Sequence, residues 1–346
     1  MAQGRLGKPR VWDPMLETLA ECGALHAAIL TISKKTDHDR RRGASHGSRR
    51  FMFNGFRLVR LRKMIGFETL RLVWKDANLL SMAEQKDRKL NKLERTLPQG
   101  LLVDAAWMEQ HGYSTSLRSQ YVSAGWLVQP ARGIFKRPLG ELSWQGVIVS
   151  LQRLLGSDLV VGGRTAIEAQ GLGHYLSQTG PSTVHLYGTR SAPGWLGKLP
   201  LKQKFRVHRA QSLFKTHGSL PESKSGTTRE IPGPFDWPLT VSTPERAFLE
   251  LLDELPRHES FHQVDALAEG LRSLSPRRLQ TLLNDCKSVK VKRLFFWFAE
   301  RHQHAWFKQI DKSKVNLGTG KRMLVKGGKL DTKYLITIPD DLNAPV

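Results

Sequence analysis

Residues 113–138 read YSTSLRSQYVSAGWLVQPARGIFKRP, and the fold turns on what this stretch is. It contains no Asp or Glu. Ser114 or Thr115 offers a helix N-cap, because a short side-chain oxygen can accept from the unpaired N–H groups of a first turn. A helix is expected from there to about Ala124, closed by Gly125, with Leu117, Tyr121 and Ala124 forming its buried stripe. Trp126–Val128 reads as a strand, Pro130–Gly133 as a turn and Ile134–Phe135 as the returning strand.

Working outward, the spacing predicts a helix from Ala83 to about Leu97. Leu90, Leu93 and Leu97 share its inner face, and Pro98–Gly100 stops it. A second helix is expected from about Val103 to His111, ended by Gly112. Helix, helix, turn, helix and hairpin is the order of a winged helix-turn-helix, here over residues 82–137. In such a module the last helix enters the DNA major groove. With the apolar stripe inward, Ser116, Arg118, Ser119 and Gln120 are the residues expected to meet DNA. Arg118 and Gln120 suit purine edges, and serines suit phosphates or either base. Arg132, Lys136 and Arg137 are expected to hold the backbone. The alternative is a helical bundle with a solvated basic face.

Charge agrees with a polyanionic partner. The net charge is +23 in 346 residues, and it is uneven: +9 over 1–81, +4 over 82–137, +1 over 138–276 and +11 over 277–333. A near-neutral middle between basic ends points to particular surfaces rather than to general solubility. Residues 1–81 carry KKTDHDRRRGASHGSRR and no clean period. They read as a basic extension outside any domain, as if translation started upstream of a natural start at Met82. The competing reading is a basic arm that tracks phosphates. Two distant cysteines, Cys22 and Cys286, do not make a disulfide framework and fit a reducing interior. No secretory signal and no run near the roughly 18 apolar residues of a membrane span is evident.

Residues 138–346 read as a larger mixed α/β domain. SWQGVIVSLQRLLG has an amphipathic helical pattern, and VVGGRTAIEAQGL opens a helix from a Gly turn. STVHLYGT and FRVHRA alternate as strands. Residues 217–238 read as loop. VSTPERAFLELLDELP and SPRRLQTLLNDC each begin with a cap and an early Pro. A strand pair is expected around Gly327–Gly328. Arg277, Arg278, Lys287, Lys290, Lys292 and Arg293 form a second expected basic surface, beside a run of aromatics that either stack on nucleic acid or pack inward.

No arrangement reads as an active site. GTGK at Gly318–Lys321 has its glycines too close, and Arg322 where a phosphate loop needs Ser or Thr. His302 and His304, with Cys286 upstream, lack the paired ligands of structural zinc. His258, His262 and Asp265 lack the Glu of a zinc protease between the histidines. Serine-hydrolase signals and a clustered carboxylate set are missing, so no enzyme, metal or cofactor is expected. A nucleic-acid-processing enzyme, or a winged-helix transcriptional regulator that acts without a protein partner, is the competing class.

Several long segments carry a resemblance. GLLVDAAWMEQHGYSTSLRSQYVSAGWLVQPARGIFKRP, VGGRTAIEAQGLGHYL, VHLYG, VSTPERAFLELLDELP, SPRRLQTLLNDCKSVKVKRLFFWFAERHQHAW and GKRMLVKGGKLDTKYLITIP resemble AbiEi-family antitoxins of bacterial type IV toxin–antitoxin (abortive infection) systems. The resemblance spans about 84–341 and leaves out 1–81. It implies an α+β chain with an N-terminal winged helix-turn-helix followed by a larger antitoxin domain. It further implies a cytoplasmic bacterial protein that binds inverted repeats in its own promoter and represses its operon, in a phage-defence or mobile-element setting. The implied partner is a nucleotidyltransferase toxin, opposed without a stable complex.

Overall fold

The computed structural model describes residues 88–173, 180–216 and 226–342. All belong to one unit that begins at Ala83. The extension 1–81 and the start of the helix expected from Ala83 lie outside the described residues.

Residues 88–96 are helical (α1), with Leu93 and Leu97 buried and Leu90 half-buried. There follow β1 (Leu102–Asp104), α2 (Ala105–Gln110), α3 (Thr115–Ser123), β2 (Val128–Ala131) and β3 (Ile134–Lys136). The three strands form an antiparallel sheet in the order β1-β3-β2, with Val103 opposite Phe135 and Ala131 opposite Ile134. This order of elements is that expected of a winged helix-turn-helix. Two boundaries differ from expectation. Leu102–Asp104 is a strand rather than the start of a helix, because it pairs with β3 thirty residues on. The Asp104 side chain then accepts from Trp107 N at 2.8 Å and starts α2 two residues later than expected. The hairpin strand begins at Val128, not Trp126.

The chain continues into α4 (Trp144–Val149), which runs into a π turn at Ser150–Leu154. Most of this helix is buried, so it lacks the solvated face its pattern suggested. Ser150 Oγ accepts from Leu102 N at 2.9 Å and ties β1 to the larger part. Next come β4 (Val160–Val161), α5 (Gly163–Ala169), β5 (Thr183–Gly188), β6 (Lys204–Arg209), α6 (Ala210–Leu213), β7 (Thr228–Pro232) and β8 (Pro238–Ser242). The sheet has the order β6-β5-β4-β8-β7. β5 with β6 and β4 with β8 are parallel, and the other two pairs antiparallel. β7 lies in a segment expected to be loop. It is an edge strand ending in Pro232, a place where a missing N–H is tolerated.

Helices α7 (Pro244–Asp253), α8 (Phe261–Gly270), α9 (Pro276–Asp285) and α10 (Val289–His302) complete the core. α7 contacts α5, α8, α9 and α10. Phe248 of α7 meets Phe295 of α10 at 5.9 Å between ring centroids, and Phe295 meets Phe296 edge-on at 5.4 Å. Each such buried ring contributes about 1.5–3 kcal/mol. The last pair, β9 (Lys329–Asp331) and β10 (Ile336–Ile338), is joined through residues 332–335, so Gly327–Gly328 precedes the hairpin rather than turning it.

Candidate nucleic-acid interface

The turn between α2 and α3 is built by Gly112, whose φ of 86° is left-handed backbone with no atom within 4 Å of a Cβ position. The Tyr113 amide donates to Met108 O at 2.9 Å, and Ser114 caps α3 through Leu117 N at 3.4 Å. Tyr113 and Tyr121, both buried, pack at 6.4 Å beneath the turn. Gly133, φ 76°, makes the tip of the hairpin and accepts from Ala105 N at 2.8 Å, which fixes the hairpin to α2.

The expected base reader Arg118 is not on the surface. It is only 6% exposed. Its guanidinium donates to Tyr113 O at 2.8 Å, to Ala105 O at 3.3 Å and to Thr115 Oγ1 at 2.8 Å, and lies 5.9 Å from the centre of the Phe135 ring. Arg118 therefore fastens α3 to the head of α2 and to the hairpin. The buried stripe is correspondingly turned: Arg118 and Tyr121 are buried, Leu117 is half-buried and Ala124 is exposed. Two carbonyl oxygens and a hydroxyl converge on the planar guanidinium, and this outweighs the usual rule that arginine stays in water.

Two of the expected backbone contacts are also committed elsewhere. Lys136 is buried, and its ammonium donates to Arg137 O and Gly140 O at 2.9 Å each. Burial holds its pKa below the usual lysine range. Arg137 pairs with Glu94 of α1 at 3.1 Å. What remains exposed is Ser116, Ser119 and Gln120, with Thr115 and Ser123 beside them, and Arg132 at the hairpin tip. Positions 116, 119, 120 and 123 share one helix face. That face is polar, uncharged and free of carboxylates. Trp126, 48% exposed, and exposed Val128 stand at the base of the hairpin.

Four of the six residues of the second expected basic surface are buried or paired in the same way. Arg293 is 2% exposed and donates to Leu317 O at 2.8 Å and Gly320 O at 2.7 Å. These bonds hold the GTGK turn as a structural loop. Lys292 is buried. Lys290 donates to Leu255 O at 2.9 Å and lies 3.3 Å from Asp253 Oδ1. One guanidinium nitrogen of Arg278 donates to both Glu245 carboxylate oxygens, at 3.0 and 2.9 Å. Arg277 and Lys287 are exposed, and the Lys287 ammonium reaches Gln211 O at 2.8 Å. The neighbouring aromatics pack inward: Phe295, Phe296, Trp297 and Phe298 are all buried.

Three of the histidines weighed for metal, His262, His302 and His304, are engaged in hydrogen bonds. His302 and Arg301 both hold Asp265, at 2.8 and 2.9 Å. His304 bonds Ala268 O at 2.8 Å, and His262 bonds Asp341 at 2.6 Å. Cys286 is buried, and burial pushes its thiol up to about 11. A group that the sequence reading passed over does converge. His185 of β5, His208 of β6 and Glu254 at the end of α7 each offer a ligand atom within 4.8 Å of the others. Parallel pairing of β5 with β6, which sets Tyr187 opposite His208, brings together histidines 23 positions apart. Nothing in either strand alone signals it.

Comparison with known proteins adds the following. Residues 86–178 match the family model described as "Transcriptional regulator, AbiEi antitoxin N-terminal domain". Residues 181–339 match that described as "Transcriptional regulator, AbiEi antitoxin, Type IV TA system". The first model takes in α4, β4 and α5 as well as α2, α3 and the hairpin, and the two models meet near residue 180. Among solved structures, the chain is similar to the crystal structure of the RV2827C protein from Mycobacterium tuberculosis. That match has 14% identity and a TM-score of 0.49, over 72% of this chain and 89% of that one. No curated protein gives a significant match. No described helix is long and apolar enough to cross a membrane.

Proposed function

The chain belongs to the AbiEi antitoxin family, the transcriptional regulators of type IV toxin–antitoxin systems, and on that premise we propose that it binds the DNA upstream of its own gene through α3 and the β2–β3 hairpin, and so represses its operon. The observation that carries this is the outer face of α3. Ser116, Ser119, Gln120 and Ser123 are exposed on one side of a capped helix, no carboxylate occurs between Tyr113 and Pro138, and Arg132 stands at the adjoining hairpin tip. A helix presented in this way fits the major groove. Gln120 has the paired donor and acceptor that match an adenine edge, the serines suit phosphate oxygens, and Arg132 suits the backbone or minor groove.

The partner in this reading is a nucleotidyltransferase toxin, opposed without a stable complex, and the setting is the bacterial cytoplasm. The chain acts as a regulator and not as an enzyme. Buried Arg118 and Lys136 play an indirect part, since Arg118 sets the angle of α3 to α2 and Lys136 holds the turn that follows β3.

The test is a titration of the purified full chain against the duplex upstream of its gene and against a scrambled duplex, over several salt concentrations. Tight binding to the upstream duplex that survives moderate salt supports the reading. Equal and steeply salt-sensitive binding to both would reduce the interface to an electrostatic footprint.

A further inference from the structure

We propose that His185, His208 and Glu254 form a three-ligand site for a divalent cation of the zinc type, open on its fourth side to solvent. The site lies outside the DNA-facing helix and does not depend on that reading.

Three observations carry it. The first is spacing. His185 Nδ1 and His208 Nε2 lie 3.1 Å apart. Two nitrogens bound to one zinc at about 2.0–2.1 Å in tetrahedral geometry sit roughly 3.3 Å from each other. Glu254 Oε1 is 3.2 Å from the other nitrogen of His208, Nδ1, so only one of these two contacts can be kept around an ion; one ligand atom from each of the three residues nonetheless falls within 4.8 Å of the other two. Turning the Glu254 carboxylate toward the His185–His208 pair, with loss of its contact to His208 Nδ1, closes the set around an ion.

The second is an orphaned atom. Glu254 is 6% exposed, yet its Oε2 has no hydrogen-bond partner. The closest cation, Arg206, stands at 3.9 Å, beyond hydrogen-bond reach. A buried carboxylate oxygen left in this state is costly. A bound cation satisfies it.

The third is access. His185 lines one polar cavity of about 520 Å³, and His208 and Glu254 line a second of about 510 Å³. Arg257 and His258 border both. The three ligands thus sit where the two cavities meet, with a route for entry and room for a fourth ligand. That ligand is water or the exposed His258, whose backbone is anchored to Glu254 O at 2.9 Å. Imidazole with one carboxylate selects zinc and its first-row neighbours over magnesium or calcium, which take oxygen.

The protonation states fit. Burial, then neighbouring His208, Arg206 and Arg164, drive His185 down to about 3; burial, then Arg206, drive His208 down to about 4. Both rings are neutral near pH 7, and each can offer a lone pair to an ion that replaces the hydrogen bond between them. Burial, then Asp253, raise Glu254 to about 7, so an incoming cation also fixes its ionised form. Arg206 opposes the ion, but its side chain is 38% exposed and can turn into solvent.

The experiment uses the untagged full chain, stripped with a chelator, then titrated with Zn2+ by calorimetry and assayed for bound metal after gel filtration. About one zinc per chain should be retained, and His208→Ala and Glu254→Gln should each weaken binding at least roughly tenfold. No retention by the folded wild type overturns the proposal. So does equal retention in both variants, which would place the metal on other histidines or on Cys22. If circular dichroism shows that a variant does not fold, Co2+ is added to the wild type instead. Visible d–d bands of a four-coordinate site that Zn2+ abolishes support the proposal, and their absence overturns it.

Discussion

Replacing Arg118 should loosen the module rather than blind it. In Arg118→Ala the Tyr113 carbonyl loses a charged donor at 2.8 Å, the Ala105 carbonyl and the Thr115 hydroxyl lose theirs, and the Phe135 ring loses the guanidinium that lies over it. A hydrogen bond to a charged group is worth about 1.5–3 kcal/mol, and a buried acceptor left without a partner costs a similar amount. The Ala105 and Thr115 bonds are longer or nearer to solvent and add less. The whole effect should be about 2–4 kcal/mol. For a unit of this size that is a fall of roughly 5–15 °C in Tm. Arg118→Lys should recover little, since a single ammonium cannot reach three acceptors in a plane. The assay is thermal unfolding followed by circular dichroism, paired with DNA titration at a temperature where both proteins are folded. At that temperature Arg118→Ala should keep its preference among base substitutions in the upstream duplex. A variant with unchanged Tm that has lost preference at one base pair would refute the inward role and restore Arg118 as a base reader.

Other expectations follow from the same geometry. Gln120→Ala should weaken binding to the upstream duplex by about 1–3 kcal/mol and leave scrambled DNA unaffected, in parallel titrations. Arg132→Ala should weaken both duplexes alike and reduce the slope of log K against log salt by about 1. Arg293→Met should lower stability by about 2–4 kcal/mol in urea unfolding, because the Leu317 and Gly320 carbonyls lose their donor, with DNA affinity unchanged. Cys286, buried and with its thiol raised to about 11, should escape iodoacetamide at pH 8 in the native chain and react once urea is added, as peptide mass spectrometry would show.

The helices and hairpin of residues 105–136 were legible because their signals are local. Ser114 as a cap, Gly112 and Gly125 as stops and Gly133 as a turn each act within a few residues, and α3 spans Thr115–Ser123 as the spacing predicts. What escaped depends on distant partners. β1 is a three-residue run whose strand identity comes only from β3. Arg118 looks like a surface residue in sequence, and only the meeting of Tyr113, Ala105 and Thr115 makes an inward place for it. The basic run before the C-terminal aromatics misled for a related reason. The segment LFFWFA, Leu294 to Ala299, is apolar around the whole helix, and an all-round apolar helix is buried. Arg293 goes in with it, once the 317–320 turn supplies carbonyls. His185 and His208 are invisible as a pair until the parallel register of β5 and β6 is known.

The most direct measurement is the affinity of the full chain for its upstream duplex beside that of Ser119→Glu. Ser119 is exposed at the centre of the outer face of α3. A carboxylate there should leave Tm unchanged and, by repulsion from phosphates and base acceptors, weaken binding by a hundredfold or so, equal to about 2.7 kcal/mol. Wild-type affinity in Ser119→Glu would contradict the assignment of α3 as the helix that reads DNA.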